Sequence, residues 1–188
     1  MDPRTADMLR RLNDDFYRRC APSFSNTRQA PWEGWRACLP LLREASRDDG
    51  AGGRKLELLD VACGNGRFEA FLADELPDVD VHATAVDDCD ELMAGAHVPG
   101  ATFKRFDALE SLAAGCAWRE ELPVADAAVS FGFLHHIPSR ALRERVLAEL
   151  LDLVRPGGVA IVSLWCFLED ERLARRAERS HPAALAAL

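Results

Sequence analysis

The residues of this chain best suited to chemistry are three acids and two glycines. Segment 59–68 reads LDVACGNGRF, an apolar run that ends on Asp60 and then breaks at Gly64 and Gly66. A backbone bared at that point serves either a tight turn from strand to helix or a surface that a ligand touches directly. Asp87, followed by Asp88, ends a second apolar run, and Phe106 and Asp107 end a third. SFGFLHH (130–136) ends a fourth and contributes Ser130, Phe131, His135 and His136. So much negative charge suits a phosphate poorly. It suits a ligand with ribose hydroxyls, an adenine amino group and a positive centre. Taken singly, Asp60 and Asp107 also read as caps of the turns or helices that follow, and Gly64 and Gly66 as turn glycines. The acid that follows the GxG at the end of the next run has the spacing of the dinucleotide fingerprint. That pattern's third glycine is replaced by Glu69, which argues against NAD.

These residues need a scaffold, and the chain predicts one. The runs KLELLDVA, DVHATAV, ATFKRFDA, ADAAVSFG and GVAIVSLW are nearly continuous in apolar residues. Between them lie helical patterns, GRFEAFLADEL, CDELMAGAH and SRALRERVLAELLDLV. Buried strands alternating with amphipathic helices predict an α/β fold, a doubly wound, mainly parallel sheet. Ligands of such sheets sit beyond the strands' carboxyl ends. Upstream, residues 5–19 have helical spacing with Thr5 as N-cap, residues 21–32 read as a loop, and EGWRACLPLLREA resumes a helix adjusted at Pro40. The organisation expected is a helical lid or substrate segment over residues 1–50 and a cofactor-binding core over 51–188.

The bulk properties are those of one globular domain of 188 residues, 48% hydrophobic and 29% charged. Its six cysteines contain no CxxC pair, so neither a metal site nor a disulfide framework is expected. The N-terminus lacks a signal-like apolar stretch and no run is long enough to cross a bilayer, so a cytoplasmic location without membrane attachment is expected. A net charge of −8 disfavours unaided, charge-driven binding of nucleic acid. The first 36 residues run the other way, with Arg4, Arg10, Arg11, Arg18, Arg19, Arg28 and Arg36 against five acids.

LLDVACGNGRF, SFGFLHHIP and LLDLVRPGGVAIVS together resemble motifs of the class I S-adenosylmethionine-dependent methyltransferases, over roughly residues 56–168. The resemblance implies a Rossmann-like fold that binds S-adenosylmethionine and leaves S-adenosylhomocysteine. It implies that Gly64 and Gly66 admit the methionine moiety, that Asp60 steers its ammonium group, and that Asp87 holds the ribose. Asp107, with Phe106 and Ala108, would hold the adenine, and Cys63, Asp88, Ser130 and Phe131 complete the cofactor set. Ala62 stands where that family more usually has glycine. FYRRCAPSFSNTRQAPW, FLHHIPS and IVSLWCFLED are similar to the tRNA wobble-uridine carboxymethyl methyltransferases. Those enzymes esterify a uridine side-chain carboxylate and, in eukaryotes, need a small zinc-binding activator.

A carboxylate acceptor is ionised at neutral pH and needs groups that orient it rather than a strong base. Arg28 offers a planar fork for it, and His135 or His136 a further hydrogen bond, with one of the two expected to face the cleft. A hydroxyl or amine acceptor would instead require one of these histidines to take a proton. Trp32, Trp35 and Trp165 read as lid or core. After GVAIVSLW the chain offers one helix and no residues for the family's last two strands. An uncovered fifth strand then predicts an activator subunit or self-association. Three functions stay open: a tRNA carboxylate methyltransferase, a methyltransferase of small-molecule acids, and a non-catalytic cofactor- or partner-binding homologue.

Overall fold

The computed structural model describes residues 2–48, 50–166 and 169–186. Helix α1 (Pro3–Thr27) starts at Asp2 rather than Thr5: the Asp2 carboxylate accepts the Thr5 N–H at 3.0 Å, and proline fills the first helical position, where no N–H is required. The helix continues through Pro22 into the segment expected to be a loop. Tertiary packing overrides the local signal there. Ala21 is buried with Cys89 and Leu92, and Tyr17 and Phe24 pack beside them. A 3₁₀ segment (Glu33–Cys38) leads into α2 (Leu39–Ala45), so Pro40 sits in the opening turn of a new helix.

The glycine-rich connection holds a short strand, β1 (Arg47–Asp48), paired antiparallel with β2 (Arg54–Val61). The boundary expected at residue 50 therefore crosses a hairpin. The remaining elements follow in order: α3 (Arg67–Glu75), β3 (Val79–Asp87), α4 (Asp90–Met93), β4 (Ala101–Arg105), α5 (Ala108–Ala113), β5 (Ala125–Ser130), α6 (Arg140–Asp152), β6 (Val154–Val162) and α7 (Glu171–Ala186). Helix α7 is the one helix expected after GVAIVSLW; Phe167, Leu168, Ala187 and Leu188 lie outside the described residues.

The sheet order is β4-β3-β2-β5-β6, and every pair along it is parallel. The chain winds from β2 to one side through β3 and β4, then to the other through β5 and β6, which is the doubly wound arrangement expected. The strand order reverses beside β2, where such sheets bind ligands. Register brings Val61 level with Val86, and Asp87 with Arg105, so the loops that follow share one edge. Among the described residues no strand follows β6. Alternation along β2 sends Leu56 and Leu58 to a core with Trp35, Phe68 and Leu72, and Leu59 and Val61 to one with Trp118, Leu134 and Leu150. Asp60 thus falls on the Leu58 side, beneath α3.

At the opposite end of the sheet the buried Asp126 accepts the Glu57 N–H at 2.8 Å and ion-pairs with Arg47 and Arg155. Burial pushes its pKa up, but these donors outweigh burial and hold it below the usual value. This cluster ties β1, β5 and β6 together. The six cysteines are free thiols, and no group of metal-ligating side chains occurs among the described residues. No described helix is long and apolar enough to cross a membrane.

Candidate active site

A cavity opens at the carboxyl edge of the sheet beneath α1. Asp60, Ala62, Cys63, Gly64, Asp87 and Asp88 line one side of it. Phe106, Asp107 and Ala108 line a second side, and Phe131, His135, His136 and Arg28 the rest. Of the residues singled out from sequence, Gly66 and Ser130 do not reach it. Gly66 has φ +72°, and a Cβ there would lie 2.7 Å from the Phe103 ring, so its bareness serves packing against β4. Ser130 is buried, and its hydroxyl donates to the Val61 carbonyl at 2.8 Å, tying β5 to β2.

Gly64, by contrast, has φ +59° and nothing within 4 Å of where its Cβ would stand. Its loop is held from below. The Asp87 carboxylate accepts the Gly64 N–H through one oxygen and the Cys89 N–H through the other, both at 2.9 Å. The Val86 carbonyl accepts from Ala62 and Cys63. Ala62 takes φ +66°, the one left-handed non-glycine residue among those described. That conformation costs an L-residue about 1–2 kcal/mol, more than the roughly 0.5–1 kcal/mol of extra chain entropy that a glycine loses. Ala62→Gly is therefore expected to raise the melting temperature by about 1–3 °C without loss of cofactor affinity. Differential scanning calorimetry showing a lower melting temperature would refute this.

The acids behave differently from one another. Asp107 is the cap of α5: its Oδ1 accepts the Leu109 and Glu110 N–H groups, while Oδ2 lies 3.6 Å from Arg10 of α1. Asp60 caps nothing. It is 3% exposed, and its Oδ1 has no hydrogen-bond partner. Burial, then the charge of Glu69, pushes its pKa well above the usual value. Glu69 of α3 is equally buried, has no conventional partner for either oxygen, and is pushed up by burial. Sequence reading assigned Glu69 no place in the site. Asp88 faces the cavity and is raised to about 7, by burial and then by Asp87, Asp107 and Asp14.

At the other end, both histidines line the cavity, where one was expected. The 3₁₀ turn Leu134–His136 spaces successive side chains by about 120°, which sends Leu134 into the core and both imidazoles to the cavity. Their rings lie 3.9 Å apart, and His135 stacks on Trp165 at 4.3 Å. His136 Nε2 shares a hydrogen bond with the Tyr17 hydroxyl of α1 at 2.9 Å. Burial, and then His135, lowers His136 to about 4; burial lowers His135 as well. Arg28 lies over the Phe24 ring at 3.8 Å, and its carbonyl accepts from Asn65 of the glycine loop. Trp35 is buried in the core with one side on the cavity, and Trp32 and Trp165 line the cavity as well.

A methyltransferase-domain family model matches residues 9–184. The chain belongs to that family. It carries a methyltransferase domain. Among similar proteins, the tRNA (carboxymethyluridine(34)-5-O)-methyltransferase of Arabidopsis thaliana is 27% identical over 160 residues, 82% of this chain and 33% of that protein. The mouse (Mus musculus) tRNA (carboxymethyluridine(34)-5-O)-methyltransferase ALKBH8 is 28% identical over 155 residues, 82% of this chain and 20% of its own. The chain thus spans a third or less of the length of these relatives. The plantazolicin methyltransferase BpumL shares the fold, with a TM-score of 0.53 at 15% identity over 81% of this chain and 56% of that one.

The residues of this methyltransferase domain fit S-adenosylmethionine, the donor that the sequence motifs imply. The open face of Gly64, the buried Asp60 carboxyl beneath it and the ionisable Asp88 suit a cationic, hydroxyl-bearing ligand. S-adenosylmethionine supplies a methyl group on a sulfonium, which departs as a neutral thioether.

Proposed function

We propose that this methyltransferase esterifies the side-chain carboxylate of a carboxymethyluridine at the tRNA wobble position. The observation that carries the reading is the state of the histidines. At about 4, His136 is too weak a base to deprotonate a hydroxyl or ammonium acceptor at neutral pH, and His135 is lowered in the same sense. A carboxylate needs no such step. It needs alignment and partial neutralisation, which Arg28 and the Tyr17–His136 pair offer at the cavity. The names of the Arabidopsis and mouse relatives support the same acceptor. Asp60, Gly64, Asp87 and Asp88 take the donor side in this reading.

A small-molecule acid is the second reading, favoured by charge. Much of the N-terminal basic surplus is consumed internally: Arg10 and Arg11 pair with Asp7, Arg19 with Asp15, and Arg36 with Glu75. Labelled S-adenosylmethionine offered with carboxymethyluridine-bearing tRNA, the free nucleoside and a panel of small acids separates the two. The assay is run with and without a candidate activator subunit. The expected product is labelled tRNA whose label mild alkali releases as methanol, because an ester hydrolyses and a base-methylated nucleoside does not. Alkali-stable label, or label in small acids alone, would overturn the tRNA assignment.

A further inference from the structure

Four arginines line the cavity: Arg10, Arg18, Arg28 and Arg67. Arg10 is paired with Asp107 and Glu110, and Arg18 lies within Coulombic reach of Asp14 and Glu91. Arg28 and Arg67 form no ion pair among the described residues. Each is backed by aromatic rings instead, Arg28 by Phe24 at 3.8 Å and Arg67 by Trp32 and Trp35 at 5.3 and 5.1 Å. Two hydrogen bonds lace their segments together, Asn65 to the Arg28 carbonyl at 3.3 Å and Arg67 to the Ala30 carbonyl at 2.9 Å. The Nε of Arg67 is buried without a hydrogen-bond partner. Burial, and then the Arg28 charge, lowers the Arg67 pKa. Two guanidiniums held together in a cavity without a counter-ion repel one another, and an anion seated between them relieves that repulsion.

We propose that Arg67 completes, with Arg28, a two-guanidinium seat for the carboxylate of the methyl acceptor, and so sets the preference for anionic acceptors. This rests on reading the cavity as the acceptor site, but not on the acceptor being tRNA. Arg67 enters the cavity from the first turn of α3, next to the glycine loop. An anion held there lies beside the donor-binding backbone, where transfer requires it. Asn65 and the Ala30 carbonyl fix the spacing of the two forks.

The test is Arg67→Gln and Arg67→Lys, each with S-adenosylhomocysteine bound, titrated with 5-carboxymethyluridine and its neutral carboxamide. Losing a charge-assisted fork weakens carboxylate binding about 10- to 100-fold in R67Q, while carboxamide and S-adenosylhomocysteine affinities stay within about threefold. R67K keeps the charge and loses the fork, so it is expected to fall between the two; it carries the test if R67Q does not fold. Equal losses for carboxylate and carboxamide, or an unchanged preference, would overturn the proposal and mark Arg67 as a structural latch. If the wild-type protein ignores 5-carboxymethyluridine as a free nucleoside, the tRNA reading is decided by the labelling assay. The titration is then repeated with benzoate and phenylacetate against their amides. A carboxylate preference that R67Q or R67K abolishes sustains the seat, and no preference in the wild-type protein refutes it.

Discussion

Asp87→Asn is expected to destabilise the fold by about 2–3 kcal/mol and to weaken S-adenosylmethionine binding at least about tenfold. The native carboxylate accepts two backbone N–H groups, one through each oxygen, from Gly64 and from Cys89. An amide of the same shape has one acceptor oxygen. Its NH₂ group must then point at one of the two donors, leaving a buried N–H unpaired and two donors opposed. If Gly64 loses its partner, the loop keeps only the Val86 carbonyl, through Ala62 and Cys63, and the longer Asn65 bond to the Arg28 carbonyl. The Gly64 backbone is the part of the loop that opens onto the cavity, so affinity falls with stability. Asp87→Ala, which leaves both donors unpaired, is expected to fall further. Thermal unfolding with and without cofactor, together with calorimetric titration, measures both effects. Wild-type melting and wild-type affinity in the Asn variant would show that the two hydrogen bonds carry no load.

The same residue shows where sequence stops being informative. That Asp87 ends a strand beside the glycine loop is legible from apolar patterning and spacing. That its oxygens serve the loop, leaving the neighbouring Asp88 open to the cavity, depends on side-chain direction, which spacing does not encode. Gly66 is a similar case. A missing Cβ is visible in the sequence, but whether it makes room for a ligand or for Phe103 depends on which side of the turn the bond points. The helical continuation through Pro22 was hidden for another reason. Residues 21–27 have loop composition, and they are helical because Ala21 and Phe24 pack with Cys89 and Leu92, a contact between distant segments. The parallel sheet was readable throughout because strands covered on both faces leave long apolar runs. Glu69 and Arg67 were overlooked together. The two glycines mark the loop, but the first turn of the following helix points Glu69 into the buried acid pair and Arg67 into the cavity, directions that spacing does not encode.

The buried acids make cofactor binding depend on pH. Between pH 6 and pH 8, S-adenosylmethionine is expected to bind about tenfold more tightly, with release of about one proton. Asp88, raised to about 7, is half-protonated near neutrality in the cofactor-free protein; it faces Asp87 and Asp107 on the sheet side and Asp14 on α1. Asp60, beneath the loop, is raised by burial and by Glu69 and Asp87. Both folded-state pKa values lie above the unfolded ones. Their contribution to stability is therefore complete below about pH 4 and is lost as pH rises through the folded values, so the cofactor-free protein is destabilised toward alkaline pH. A bound cation reverses the balance. It favours the ionised carboxylates, draws their pKa values down and expels protons, so affinity climbs with pH until the acids are ionised without help. His136, lowered to about 4, does not titrate in this range. Calorimetry in buffers of different ionisation heat counts the proton, and Asp88→Asn should flatten most of the slope. Glu69→Gln removes the neighbour that raises Asp60, and is expected to stabilise the cofactor-free protein at pH 8 more than at pH 5. A dissociation constant that is flat from pH 6 to pH 8, with no proton released, would mean that these carboxyls are already ionised before the cofactor arrives.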